Sequence, residues 1–260
     1  MKKQWTVKII LTLLTIVLFC TNGWGEANNP LNHKIRIALF TGDGAHPRPQ
    51  ILDVLGNEPN MTVTEIDGDN IRAGDLKNFD VLFVPGGSAV KESKGIELEG
   101  RNQIRHFVEQ GGLYIGVCAG SYLMSSSKPI YLGLLPIKTA DPSHWKRGKE
   151  MLPVQFTNLG MQIFKPSEKV MTVLYHNGPV FEKTVDRGIS VLATYRDEIV
   201  GKNGEPGVMV ESPAMVLGHF GKGLVIGISP HPEATPGLEY IERNAILWMY
   251  QQHETVPVSP

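Results

Sequence analysis

Leu113-Tyr114-Ile115-Gly116-Val117-Cys118-Ala119-Gly120-Ser121-Tyr122-Leu123 is the stretch around which the rest of the chain is organised. An apolar run ends in Gly-x-Cys-x-Gly, and a helix-compatible segment follows. This is the thiol version of a nucleophile elbow. A sharp strand-to-helix turn forces the nucleophile into strained backbone geometry, and the two glycines remove side chains that would clash there. The turn lifts the thiol above the carboxyl edge of a sheet. The N–H groups of the following helix then point at the sulfur and favour the thiolate. A small buried Cys in a Gly-rich turn reads the same over five residues, so the rest of the chain has to decide.

The 260 residues suit one α/β domain with a modest extension and are ample for a sizeable core. Acidic and basic residues nearly cancel, with a formal net charge of −1. Nothing in that balance suggests a nucleic-acid surface or an acidic tail. No internal repeat or low-complexity tract is visible.

The N-terminus reads as a targeting segment. Met1-Lys2-Lys3 and Lys8 make a positive region, Ile9 to Phe19 is apolar apart from two Thr, and Gly23-Trp24-Gly25 offers small residues for cleavage. Residues 1–25 are therefore expected to be a secretory signal peptide. The run falls short of the roughly 18 residues of a spanning helix. Export to the periplasm or beyond follows, with no stable membrane span once the signal is removed; an uncleaved signal anchor is the alternative. Phe19 before Cys20 makes a poor lipidation site. Of the two Cys, Cys20 lies in the segment expected to be removed. Cys118 would then be the only thiol of the mature chain, in an oxidising compartment where a single thiol must be buried or used.

The main domain is expected over residues 34–251. Residues 34–40, 61–66, 80–84 and 113–117 read as strands, with helices near 50–55 and through 100–110 and a loop or short helix near 71–78. Gly111-Gly112 stops the long helix. Strands alternating with helices imply a mostly parallel, doubly wound sheet. Ligands bind such sheets beyond the carboxyl ends of the strands, where the strand order switches. The second half carries short candidate strands at 134–138, 152–156, 170–174, 189–194, 214–220 and 224–229. Gly221-Lys222-Gly223 joins the last two as a tight hairpin. These read as antiparallel additions at one edge, closed by an apolar-periodic helix from Gly237 to Gln251.

A Cys nucleophile needs a base, and the base needs an orienter. Val225-Ile226-Gly227-Ile228-Ser229-Pro230-His231-Pro232-Glu233 runs a strong strand into a proline-bracketed His. In extended backbone His231 and Glu233 point to the same side, and the prolines pre-order both. Ala119, just after the nucleophile, and Gly87, in Pro85-Gly86-Gly87, are the expected oxyanion-hole donors. His46, in the loop after the first strand, together with Tyr122 and Tyr175, would line the pocket. His33, His106, His144, His219 and His253 lack a nearby acid with convincing geometry. No Cys/His/Asp grouping has zinc-like spacing, and there is no dinucleotide-binding or P-loop glycine pattern. Neither a metal nor a cofactor is expected.

Val84-Pro85-Gly86-Gly87, then Gly116-Val117-Cys118-Ala119-Gly120, then His231-Pro232-Glu233 together resemble the class I glutamine amidotransferase-like superfamily. The resemblance covers about Lys34 to Tyr250. It implies a flavodoxin-like fold and matches Cys118, His231 and Glu233 to the superfamily's triad. Within it, Gly-Val-Cys-Ala-Gly-Ser-Tyr-Leu, Tyr175-His-Asn-Gly-Pro-Val-Phe181 and the stretch through Glu233 look most similar to the domain at the N-terminus of eukaryotic biotin–protein ligases and in free-standing bacterial proteins. No ligase domain follows, so biotin transfer is not inherited. Glutamine-using members carry Gly-His-Gln after the nucleophile, where this chain has Gly120-Ser121-Tyr122, which argues against glutamine as substrate.

The expected function is an exported cysteine-nucleophile hydrolase or amidotransferase-like enzyme, acting through a thioester on an amide or ester of a small-molecule or peptide-like substrate. The alternative is a small-molecule or protein binding module on the same scaffold. A thiol redox sensor is disfavoured by the lack of a resolving Cys.

Overall fold

The computed structural model describes residues 34–255. The expected signal peptide, its Cys20 and also His33 lie outside the described residues. The elements in order are β1 (Ile35–Phe40), α1 (Pro49–Gly56), β2 (Met61–Ile66), α2 (Gly68–Arg72), β3 (Val81–Val84), α3 (Ala89–Glu109), β4 (Leu113–Val117) and α4 (Ala119–Met124). There follow β5 (Lys149–Phe156), α5 (Asn158–Phe164), β6 (Val170–His176), β7 (Ile189–Tyr195), β8 (Pro213–Phe220), β9 (Gly223–Ile228) and α6 (Ile241–Thr255).

The nine strands form one sheet in the order β2-β1-β3-β4-β9-β8-β7-β5-β6. From β2 to β9 neighbours are parallel, and from β9 to β6 they are antiparallel. The sheet is thus α/β and doubly wound at its parallel end, with antiparallel strands added at the other. The strand order reverses at β1, which has β2 on one side and β3 on the other. The loops after β1, β3, β4 and β9 all leave at the same edge.

Both faces of the parallel strands are covered, which explains their unbroken apolar runs. Phe40, Leu82, Val84 and Tyr114 pack against Ile96, Ile104 and Val108 of α3 and Leu123 and Met124 of α4. On the other face α6 packs against β4 and β9. The antiparallel half curls back toward the parallel edge. The N–H of His231, just past β9, donates to the carbonyl of Leu174 in the far edge strand β6 at 2.7 Å. The Leu174 N–H donates to Thr235 Oγ1 at 3.0 Å.

Several elements depart from the sequence expectation. Residues 134–138 are not a strand. The N–H of Leu134 bonds to Met124 and the N–H of Ser126 to Ile137, so this apolar stretch closes the end of α4 instead. Pro136, lacking an N–H, suits that role better than a sheet ladder. Residues 158–164 form α5, capped by the Thr157 hydroxyl, which accepts from Gly160 N–H at 3.1 Å. The helix near 71–78 starts earlier, at Gly68, under an Asp67/Asn70 capping box. In α3 the helix is broken at Glu97, with φ 63 and ψ 176. Arg72 bridges that break by donating to the Gly95 and Ile96 carbonyls. The last helix begins only at Ile241, because a 3-10 segment at Pro232–Ala234 and irregular turns over residues 235–240 precede it, and it runs on to Thr255.

Candidate functional site

Cys118 follows β4 directly and holds φ 49 and ψ −98. A non-glycine residue there costs on the order of 1–3 kcal/mol and persists only where its surroundings over-determine it. They do. The Cys118 N–H donates to the Ile228 carbonyl at 2.8 Å, and the Gly120 N–H to Pro85 at 3.2 Å. The Tyr114 hydroxyl donates to the Gly120 carbonyl at 2.9 Å. The buried Ser121 hydroxyl lies 2.7 Å from the Gly116 carbonyl and 2.8 Å from that of Ile228. A Cβ on Gly116 would sit 2.5 Å from the Gly120 backbone, and one on Gly120 would sit 2.2 Å from the Val84 carbonyl oxygen. The Gly-x-Cys-x-Gly spacing is therefore a clearance requirement.

The β4–β9 register pairs Val117 with Ile228, so Cys118 and His231 leave the sheet side by side. His231 Nδ1 lies 2.7 Å from Glu233 Oε1, both side chains being buried. Nε2 is left without a side-chain partner among the described residues, and Cys118 lines the same pocket. Burial alone would lower the imidazole's proton affinity. The neighbouring Cys118 and the hydrogen bond to Glu233 outweigh it, pushing the pKa up to about 10. The pairing of His231 with Glu233 was expected from extended backbone. It is made instead by a 3-10 turn over Pro232–Ala234, in which the Ala234 N–H donates to the His231 carbonyl at 3.2 Å.

Behind Glu233 stands a second buried carboxyl. The Glu233 N–H donates to Glu242 Oε1 at 3.1 Å. Burial, and then the charge of Glu233, hold Glu242 well above the usual carboxylate range.

Cys118 and His231 open into a pocket of about 660 Å³ that Gly86, Gly87, Ala119, Tyr122 and His46 also line. The N–H groups of Gly87 and Ala119 donate to no backbone carbonyl among the described residues. Gly87 has φ 154, and a Cβ there would lie 2.0 Å from the Gly44 carbonyl oxygen. The Tyr122 hydroxyl donates to the Asn177 carbonyl at 3.4 Å.

Tyr175 is a correction. It is fully buried, stacks edge-on against Tyr195 at 5.8 Å, and donates its hydroxyl to the Gly178 carbonyl at 2.9 Å. Its neighbours His176 and Asn177 reach the pocket instead. The His176 carbonyl lies 3.6 Å from Cys118 Sγ. Strand alternation dictates that only one of Tyr175 and His176 can face the site, and β6 turns the histidine that way. Arg48, Lys128, Tyr131 and Trp145 line the pocket too. They sit in loops whose sequence carries no signal for it. His144 does have an acid partner, Asp141 at 2.9 Å, but does not line this pocket. Among the described residues, no group of three or more His, Cys, Asp or Glu is placed to hold a metal, and no helix is long and apolar enough to cross a membrane.

The fold is shared with several solved structures. A chain of PurLQS from Thermotoga maritima superposes with a TM-score of 0.60 at 17% identity, over 83% of this chain and 99% of that one. A protein described as a GMP synthase subunit from Thermoplasma acidophilum gives 0.58 at 17% identity, over 86% and 98%. A β-galactosidase from Bacillus circulans sp. alkalophilus gives 0.53 at 12% identity, over 85% of this chain and 31% of that one. More narrowly, residues 51–132, which include the elbow, match the family described as Biotin-protein ligase, N terminal. No curated protein matches the sequence.

Proposed function

We propose that the protein is a cysteine-dependent acyl hydrolase or acyl transferase, exported by the N-terminal segment, in which Cys118, His231 and Glu233 act as nucleophile, acid/base and orienter. The observation that carries this reading is the strained Cys118 on the elbow, sharing one pocket with a buried His231 that is itself held by Glu233 at 2.7 Å. A buried structural thiol needs neither the strain nor the imidazolium.

In this reading the sulfur of a thiolate–imidazolium pair attacks an amide or ester carbonyl. The C=O electron pair moves to oxygen, where the Gly87 and Ala119 N–H groups receive it. As the tetrahedral species collapses, His231 gives its proton to the leaving nitrogen or oxygen, and a Cys118 thioester remains. Water then attacks while His231 takes one of its protons. The C–S bond breaks, the pair is restored, and a carboxylic acid leaves. Glutamine is disfavoured as substrate, because Tyr122 lines the pocket at the position where the resemblance would put a substrate-holding Gln, and Ser121 is tied to backbone carbonyls.

Iodoacetamide is expected to label Cys118 at least about tenfold faster than a free thiol at neutral pH, and His231→Ala should remove that advantage. Labelling at the free-thiol rate, unchanged in the variant, would sink the reading. Profiling over amide and ester libraries then separates turnover from simple binding: any turnover should vanish in Cys118→Ser.

A further inference from the structure

The charge of the pocket wall is one-sided. Two permanent cations, Arg48 and Lys128, line it, together with His46 and His176, and no Asp or Glu does. Arg48 comes from the loop before α1 and Lys128 from the loop after α4, so they belong to separate segments brought to one cavity. Neither makes an ion pair with an acid among the described residues, whereas buried Arg147 nearby is tied to Asp141 at 2.8 Å. Lys128 lies over the Tyr131 ring, 5.8 Å from its centroid, which leaves its remaining donors to the pocket. After burial, His176 is made harder to protonate by His231, Lys149 and Arg48. A cavity lined by one sign of charge concentrates ligands of the other. Its volume of about 660 Å³ suits a molecule well beyond the size of a single amino-acid side chain.

Resting on the reading of Cys118 as nucleophile, we propose that the substrate is an anionic amide or ester, one whose acyl or leaving portion carries a carboxylate received by Arg48 and Lys128. Tyr122, Tyr131 and Trp145 supply flat apolar surface for the remainder of that molecule. The carboxylate is held away from the sulfur by the pocket wall, and the carbonyl under attack lies between the two.

The test compares two alkylating agents of nearly equal size, iodoacetate and iodoacetamide, on the full chain at low salt. The quantity read is the iodoacetate-to-iodoacetamide rate ratio at Cys118, relative to the same ratio for a free thiol. The expected value is about tenfold above the free thiol, falling as salt screens the wall. The double variant Arg48→Gln/Lys128→Gln should lower the ratio about threefold or more, because both permanent cations of the wall are then gone. A ratio within twofold of the free thiol overturns the proposal. So does a raised ratio that the double variant leaves unchanged, since His231 would then account for it. The absolute iodoacetamide rate judges the nucleophile reading separately, and the ratio reports on the wall whatever that rate is.

Discussion

His231 is nearly excluded from water, yet its pKa is pushed up to about 10, because the hydrogen bond to Glu233 and the neighbouring Cys118 outweigh the cost of burial. In the unfolded chain an ordinary imidazole loses its proton near 6.5. The folded state therefore binds that proton more tightly. The stability this confers is complete below about pH 6.5 and is lost as pH rises toward about 10. Urea denaturation of wild type and His231→Gln across that window should show the wild-type advantage shrinking with rising pH. A constant difference would mean that the imidazolium pairing does not exist. Cys118, His231 and Glu233 were legible in the sequence because each sits at a fixed offset from a recognisable strand end. Tyr175 and His176 were not. They are adjacent in one strand, and which of them faces the pocket depends on how a distant edge strand is turned.

At the scale of elements, the β4–α4 turn works only because two positions carry no side chain. Gly120→Ala would put a methyl 2.2 Å from the Val84 carbonyl oxygen, a backbone atom that cannot swing aside. A loss of about 1–3 kcal/mol is expected, together with slower labelling of Cys118 as the elbow shifts. Gly56→Ala at the end of α1, where nothing lies within 4 Å, should be neutral or slightly stabilising. Urea midpoints for the two variants read the contrast, and equal effects would show that clearance at the elbow is not what selects glycine. The parallel strands and the β8–β9 hairpin could be read from local pattern, since continuous apolar runs and a Gly-Lys-Gly turn are local signals. Residues 134–138 misled for the same reason. An apolar run with one Pro looks like an edge strand, but its partners are the last turn of α4 and the loop after it, which no local pattern encodes. The 3-10 turn at Pro232–Ala234 is a similar case, reaching the expected His–Glu pair by an unexpected backbone route.

Across the whole molecule, the sheet joins a fully buried centre to two partly exposed edges. β4 and β9 are buried along their length, whereas β2 and β6 expose several residues each. Hydrogen exchange should find the slowest amides in β4 and β9, the two strands that carry Cys118 and lead to His231, and exchange at least about tenfold faster in β2 and β6. Comparable protection at centre and edge would contradict that hierarchy. The proposed nucleophile and base would thus rest on the most stable part of the fold, while His176 ends an edge strand and Asn177 follows it. From the sequence alone came the doubly wound α/β class, the elbow, the candidate Cys–His–Glu set and the candidate oxyanion donors Gly87 and Ala119, because strand periodicity, turn chemistry and motif spacing are short-range properties of a chain. Only the tertiary structure decided the nine-strand order, the curl that brings β6 back to His231, and the basic wall of Arg48 and Lys128. These depend on contacts between residues tens of positions apart, which packing of the whole sheet brings together and no stretch of sequence holds by itself.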